Sequence, residues 1–311
     1  MIEKSPVDKQ KFIKNLLFTS NARAAWEHIL YSLKSTKDVA VLMPSYIGYT
    51  DREGSGVFDP VQNQNAYAEF YKLNEDLTID INHFKGLLKN KKFDCALIIH
   101  YFGFCRNNME EIKNICQENN VVLIEDCAHA FHLHNKDSLL GNYGDFSFYS
   151  LHKYLPTNSG GVLKKNNDNN VLKSLEAEKK IDIQDLEHYA NSDYNEIAKK
   201  RRDNYLFYEK YIAKHSDVQV IYELMPNDIP QTFPILIKNN QREKLYFYLM
   251  DQGAPTTALY YRLIDQIKKE DFPVSHKISQ EILNLPVHQD TNQDDIIIIC
   301  DLIRNFFTTK D

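Results

Sequence analysis

Five short apolar runs recur through residues 38–165: "DVAVLMP", "FDCALIIHYFG", "NVVLIEDCA", "DFSFYSLHK" and "GGVLKK". Polar turns bound each run. Between the second and third, "NNMEEIKNICQENN" places Met109, Ile112, Ile115 and Cys116 three and four residues apart, which is the repeat of a helix with one apolar face. Apolar strands alternating with such helices predict an α/β fold with a mostly parallel sheet flanked by helices. In sheets of that kind ligands bind at the carboxyl ends of the strands.

Past residue 163 the character changes. "KKNNDNN" reads as a polar turn, and a long charged helical stretch follows to about residue 215, including "YNEIAKKRRDNYLFYEKYIAKH". The tail holds a strand, "TFPILIK", a helix stopped by glycine, "QREKLYFYLMDQG", and a last helix, "DDIIIICDLIRNFF", with two aspartates at its positive end. The expected organisation is a large lobe over 1–190 and a connecting helix with a small α+β lobe over 191–311. A chain of 311 residues, 43% of them apolar, can build cores of that size.

Several classes of partner are excluded at this level. A net charge of −6 with both signs interspersed offers no basic face to nucleic acid. No run approaches the roughly 20 apolar residues of a membrane span. The opening "MIEKSPVDKQKFIKN" is too polar for a secretory signal, so a cytoplasmic location is expected. The five cysteines are odd in number and lack paired spacing, which predicts free thiols and no metal site.

The chemistry concentrates where two of the runs break. "VVLIEDCAHAF" stops abruptly at Glu125-Asp126, and a carboxylate there is costly without a partner. Asp126 is either the N-cap of a following helix or the partner of a cationic ring nitrogen. "DFSFYSLHKYLPTNSGG" then ends a strand at a lysine, Lys153. Pyridoxal phosphate needs a lysine for its Schiff base, an acid at its pyridine nitrogen and donors for its phosphate. Lys153 and Asp126 supply the first two, and His129 is placed to contact the ring hydroxyl. Of the two nearby hydroxyls, Ser150 is preferred over Ser147 for the phosphate. It lies three residues before the lysine, and strand alternation turns Ser147 to the opposite face.

These two blocks, "IEDCAHAF" and "GNYGDFSFYSLHKYLPTNSGG", resemble the DegT/StrS-type aminotransferases, sugar aminotransferases of fold type I that use pyridoxal phosphate. "ILNLPVHQDTNQDDI" resembles the family's C-terminal segment, and "RAAWEHIL" resembles the helix after its first phosphate-binding turn. The resemblance implies a fold type I architecture, Lys153 as the Schiff-base lysine, and transfer of an amino group, from glutamate by analogy, to a nucleotide-linked keto-sugar. It further implies a homodimer with shared active sites. Two other readings stay open: sugar dehydration or deoxygenation, which in the relatives suspected of it replaces the lysine with histidine, and a non-catalytic cofactor-binding regulator.

The sequence also departs from the family pattern. Its usual Ser-Gly-Thr turn appears as Thr19-Ser20-Asn21-Ala22, which makes Ser20 and Asn21 either phosphate ligands at a helix N-terminus or an ordinary cap. The serine that many members place five before the lysine is Phe148. At 311 residues the chain is short for the family, with the shortage expected in the N-terminal arm and the small lobe. In "MPSYIGYT" the family places an aromatic against the cofactor ring; Tyr46 is the candidate, with Tyr49 beside it and a core or surface tyrosine as the alternative for each. "EGSGVFDPV" is either a site loop, since Gly54 and Gly56 permit close backbone approach, or a tight turn before a strand. His100, at the end of "CALIIH", is either a site residue or a satisfied structural histidine.

Overall fold

In the computed structural model, which describes residues 15–34, 38–130, 140–212 and 215–308, the apolar runs are strands of one sheet. The opening segment 1–14 and Phe131, the last residue of the quoted acidic block, lie outside the described residues. The strands are β1 (Leu16–Thr19), β2 (Ala40–Pro44), β3 (Tyr67–Tyr71), β4 (Cys95–Ile99), β5 (Val122–Cys127), β6 (Phe146–Ser150) and β7 (Gly161–Lys165). They lie in the order β1-β7-β6-β5-β4-β2-β3. Only β7 runs against the others, pairing antiparallel with both β6 and β1. The sheet is therefore mostly parallel, and every residue of β4 and β6 is buried, as strands covered on both faces must be.

Helices α1 (Ala22–Leu33), α2 (Asp59–Asn63), α3 (Ile81–Asn90) and α4 (Met109–Glu118) connect these strands. The spacing read from the sequence holds in α4, which buries Met109, Ile112, Ile115 and Cys116. It opens on the Asn108 side chain, which accepts from Glu111 N, and carries Glu110 and Glu111 in its first turn, where the helix dipole favours acid. Helix α1 buries Trp26, whose indole N–H donates to Val57 O at 2.9 Å and whose ring stacks on Phe148 at 5.9 Å. Truncating so large a buried ring costs about 3–5 kcal/mol. Gly161 lets this helix sit close to the sheet. A Cβ there would lie 2.3 Å from the Asn21 carbonyl carbon, so any side chain would push the start of α1 away from β7.

After β7 come α5 (Ile183–Asn191), the long helix α6 (Tyr194–Tyr211), α7 (Arg242–Asp251), α8 (Pro273–Glu281) and α9 (Gln293–Thr308). With β8 (Val218–Val220), β9 (Thr232–Ile237) and β10 (Ile282–Pro286) the last four of these helices form an α+β layer around an antiparallel sheet ordered β10-β9-β8, whereas α5 packs its Tyr189 against Phe18 of β1. Helix α9 buries Ile296, Ile299, Cys300, Ile303, Phe306 and Phe307, again at helical spacing. Arg106, beyond β4, joins the two layers through Asp228 at 2.7 Å and Glu223 O at 2.7 Å.

Two local expectations differ from the structure. Residues 171–182 are not helical apart from the short turn Ala177–Lys179. They run across α1 instead, with Lys173 Nζ donating to Tyr31 O and Lys34 O, and Lys179 O accepting from Ser20 N. Tertiary partners for the backbone outweigh the local propensity. The loop "EGSG" leads into α2, not into a strand, because Pro60 fits the first turn of a helix and Asp59 starts it. All five cysteines are free. Among the described residues no helix is long and apolar enough to cross a membrane.

Candidate active site

The parallel strands β5 and β6 end side by side, and their carboxyl ends open into a cavity of about 620 Å³. Asp126, Ala128 and His129 enter it from the end of β5, and Ser150, His152, Lys153 and Ser159 from the turn that joins β6 to β7. The start of α1 contributes Asn21, Ala22 and Arg23, and residues 48–57 contribute Gly48, Glu53, Gly54 and Gly56. Ala258, Leu259, Tyr260 and Tyr261 close it from the C-terminal part of the chain.

Strand alternation separates the two acids of β5. Glu125 turns away from the cavity and accepts from His100 Nε2 at 2.8 Å and from the amides of Gly141, Tyr143 and Gly144 at 2.6–2.8 Å. Burial alone would raise its pKa, yet His100 and these amides hold it below the ordinary carboxylate value. Glu125, His100 and Cys127 lie close together, but four donors already occupy the carboxylate, which leaves a metal little to bind.

Asp126 faces the cavity and accepts one hydrogen bond among the described residues, from Ala128 N at 2.8 Å. It caps a turn, with no described helix following. Burial raises its pKa to about 6, against the Ala128 amide and the positive field of Lys153. Lys153 shows the complementary shift: burial of the amine lowers it to about 8, against Asp126 and Glu53. Each group is thereby brought nearer neutrality, where a proton is gained or lost at modest cost. His129 stays neutral, since burial and then the Lys153 charge hold its pKa well below the ordinary value. Its Nδ1 accepts from Phe102 N, so the neutral ring carries its proton on Nε2.

The remaining candidates divide. Ser150 lines the cavity, with its hydroxyl 3.4 Å from His152 Nδ1. Ser147 lies on the other face of β6 and donates to Gly141 O at 3.1 Å. Asn21 both lines the cavity and caps α1, its Oδ1 accepting from Ala24 N at 2.8 Å. Ser20 is outside the lining, and its carbonyl anchors Ser159 Oγ and Gly160 N. Tyr46 is fully buried behind the cavity and donates to Leu259 O. Tyr49, the second aromatic of "MPSYIGYT", does line the cavity, as do Tyr260 and Tyr261 from the C-terminal part of the chain, and Tyr260 has the unusual backbone. It stands at φ 61°, a left-handed conformation unusual for a tyrosine, with its ring directly over Gly48. A Cβ on Gly48 would lie 2.1 Å from that ring. Sequence reasoning missed Tyr260, Arg23, Glu53 and Ser159, and no local pattern marks Tyr260.

The donor set fits pyridoxal phosphate. The cavity offers an amine of lowered basicity, a buried carboxyl, a neutral histidine donor and, at the start of α1, the end of a helix that favours a phosphate. Its volume suits a ligand of that size.

The sequence matches the DegT/DnrJ/EryC1/StrS aminotransferase family over residues 13–179 and 192–304, which is most of the chain. The chain belongs to this family. Its members are pyridoxal-phosphate-dependent enzymes, and the fold type I architecture and aminotransferase class follow. It is 23% identical to GDP-perosamine synthase of Vibrio cholerae, with 95% of this chain and 87% of that protein aligned. It is 26% identical to UDP-4-amino-4,6-dideoxy-N-acetyl-beta-L-altrosamine transaminase of Campylobacter jejuni, over 76% of this chain and 73% of that one. The fold is shared with Spr1654 of Streptococcus pneumoniae, solved in its PLP form, at a TM-score of 0.79 and 13% identity, covering 98% of this chain and 92% of the other.

Proposed function

We propose that this family member moves an amino group from glutamate to a nucleotide-linked keto-sugar, with Lys153 as the amine that holds the cofactor and shuttles the proton. The observation that carries this is the placement of Lys153 and Asp126 in one cavity, with the lysine lowered to about 8 and the acid raised to about 6. Bound pyridoxal phosphate supplies an electron sink for the carbanion at the amino carbon. The protein's residues do the rest. Asp126 would hold the proton on the pyridine nitrogen, His129 would donate from Nε2 toward the ring hydroxyl, and Ser150 with Asn21 and the first amides of α1 would take the phosphate. Lys153 Nζ, its basicity lowered by burial, would be the group that takes and returns the proton at the substrate carbon.

The two nucleotide-sugar relatives support the substrate class by their names, and a cytoplasmic homodimer with shared sites is part of the same proposal. The test has two stages. Pyridoxal phosphate is added, borohydride fixes it, and peptide mapping locates the adduct, expected on Lys153. Sugar nucleotides bearing a 4-keto group are then screened with glutamate, and the mass change of amination is followed. An adduct on any other lysine sinks the assignment; an adduct on Lys153 with no turnover leaves a binder and not a transferase.

A further inference from the structure

The long helix α6 sends one side chain to the lysine turn without entering the cavity. Arg201 is 1% exposed. Its Nη2 donates to Lys153 O at 2.8 Å, its Nη1 to Gln231 O at 3.2 Å and Pro230 O at 3.4 Å, and its Nε to Gln289 Oε1 at 3.0 Å. The guanidinium carbon lies 4.2 Å from the centre of the Tyr154 ring. Gln289, just beyond β10, donates from its own Nε2 to Tyr154 O at 2.9 Å. The Tyr154 hydroxyl donates in turn to His129 O at 2.7 Å. Two side chains from the C-terminal lobe thus grip two consecutive carbonyls, those of Lys153 and Tyr154, and the gripped tyrosine braces the backbone of a cavity residue.

A buried guanidinium whose hydrogen-bond acceptors are carbonyl oxygens is an expensive arrangement, because no carboxylate hydrogen bond compensates its lost hydration. An apolar side chain of similar length would fill the same space at less cost. What only the guanidinium provides is several donors in fixed directions, aimed together at the lysine turn and at the entry to β9. The opposite side of that turn is held separately, by Asp185, which accepts from Asn158 N and Ser159 N.

We propose that Arg201 and Gln289 are positioning residues for Lys153, clasping the main chain of Lys153 and Tyr154 from the C-terminal lobe so that the amine is held at a fixed depth in the cavity. The inference rests on Lys153 being the reactive amine of the proposed function, but its test needs no cofactor. Cofactor-free protein is labelled with isotopic acetic anhydride across a pH series, and peptide mass spectrometry follows Lys153, with the exposed Lys199 of the same helix as internal reference. In the wild type, labelling of Lys153 should follow deprotonation near the lowered value of about 8. Gln289→Leu and Arg201→Met free the turn and admit water to the amine, so the titration should move upward by about one pH unit or more toward an ordinary lysine.

A role confined to stability would lower the melting temperature and leave the Lys153 titration where it was. Gln289→Leu removes no charge, so it decides the matter alone if Arg201→Met fails to fold. A folded Gln289→Leu variant titrating with the wild type overturns the clasp. Wild-type protein that binds no pyridoxal phosphate overturns the proposed function and leaves this titration standing.

Discussion

Glu125 and Asp126 are consecutive, both buried, and opposite in circumstance: among the described residues the carboxylate of the first accepts four hydrogen bonds on the closed side of β5, and that of the second accepts one on the cavity side. Glu125 is therefore a pin for residues 141–144. Glu125→Gln would turn an amide N–H₂ toward donors that need an acceptor, and should destabilise the protein by about 3 kcal/mol. Urea unfolding measures it; a loss near zero would mean that the pin carries no weight.

Asp126 should behave in the reverse sense. Its folded pKa, about 6, lies above its ordinary value of 3.8, so its contribution to stability is complete below about pH 4 and lost as pH rises through 6. Asp126→Asn does not titrate and keeps the acceptor for Ala128 N. The cofactor-free variant should match the wild type at pH 4 and exceed it by about 2–3 kcal/mol above pH 7. Thermal melts across that range check this. Pyridoxal phosphate should reduce the difference, because a protonated ring nitrogen gives the aspartate its missing partner, while single-turnover transamination in the variant falls by orders of magnitude.

Lys153→Ala should abolish the borohydride-fixed adduct and slow transamination by about 10²–10⁴-fold, the range spanned by a positioned proton shuttle. Stopped-flow measurement with added amines tests the proton role separately, since a small amine should restore part of the rate.

The two serines give a paired comparison. Ser150→Ala should weaken pyridoxal phosphate binding by one to two powers of ten, roughly 1.5–3 kcal/mol for a hydrogen bond to a charged acceptor. Ser147→Ala should change binding little and cost about 1 kcal/mol of stability through Gly141 O. Titration of apo-protein would reverse the assignment if only the Ser147 variant lost affinity.

Gly48→Ala should displace the Tyr260 ring, which the new methyl would otherwise meet at 2.1 Å. Cofactor affinity should drop in this variant. The same change made in a Tyr260→Leu background should add much less, a coupling that a double-mutant cycle reads directly.

The sheet, its helices and the lysine block were legible in the sequence because they depend on local periodicity and on residues close together in the chain. Met109, Ile112, Ile115 and Cys116 show their helix by spacing alone, and Asp126 and Lys153 stand out because a charged residue ends an apolar strand. The site's far wall was not legible. Tyr260 meets Gly48 more than two hundred residues away, and Arg201 reaches Lys153 across 48, so nothing in either neighbourhood signals the contact. Tyr46 drew attention through its local setting, yet its ring lies in the core behind Leu259. The stretch 171–182 read as helix because its partners on α1 are remote in the chain.

Strand β1 pairs with β7, and the cavity takes lining from residue 21 at one end and residue 261 at the other. During synthesis the lysine turn emerges from the ribosome about a hundred residues ahead of its final wall. A chain truncated before Tyr260 would lack that wall and leave the ends of β5 and β6 open to water.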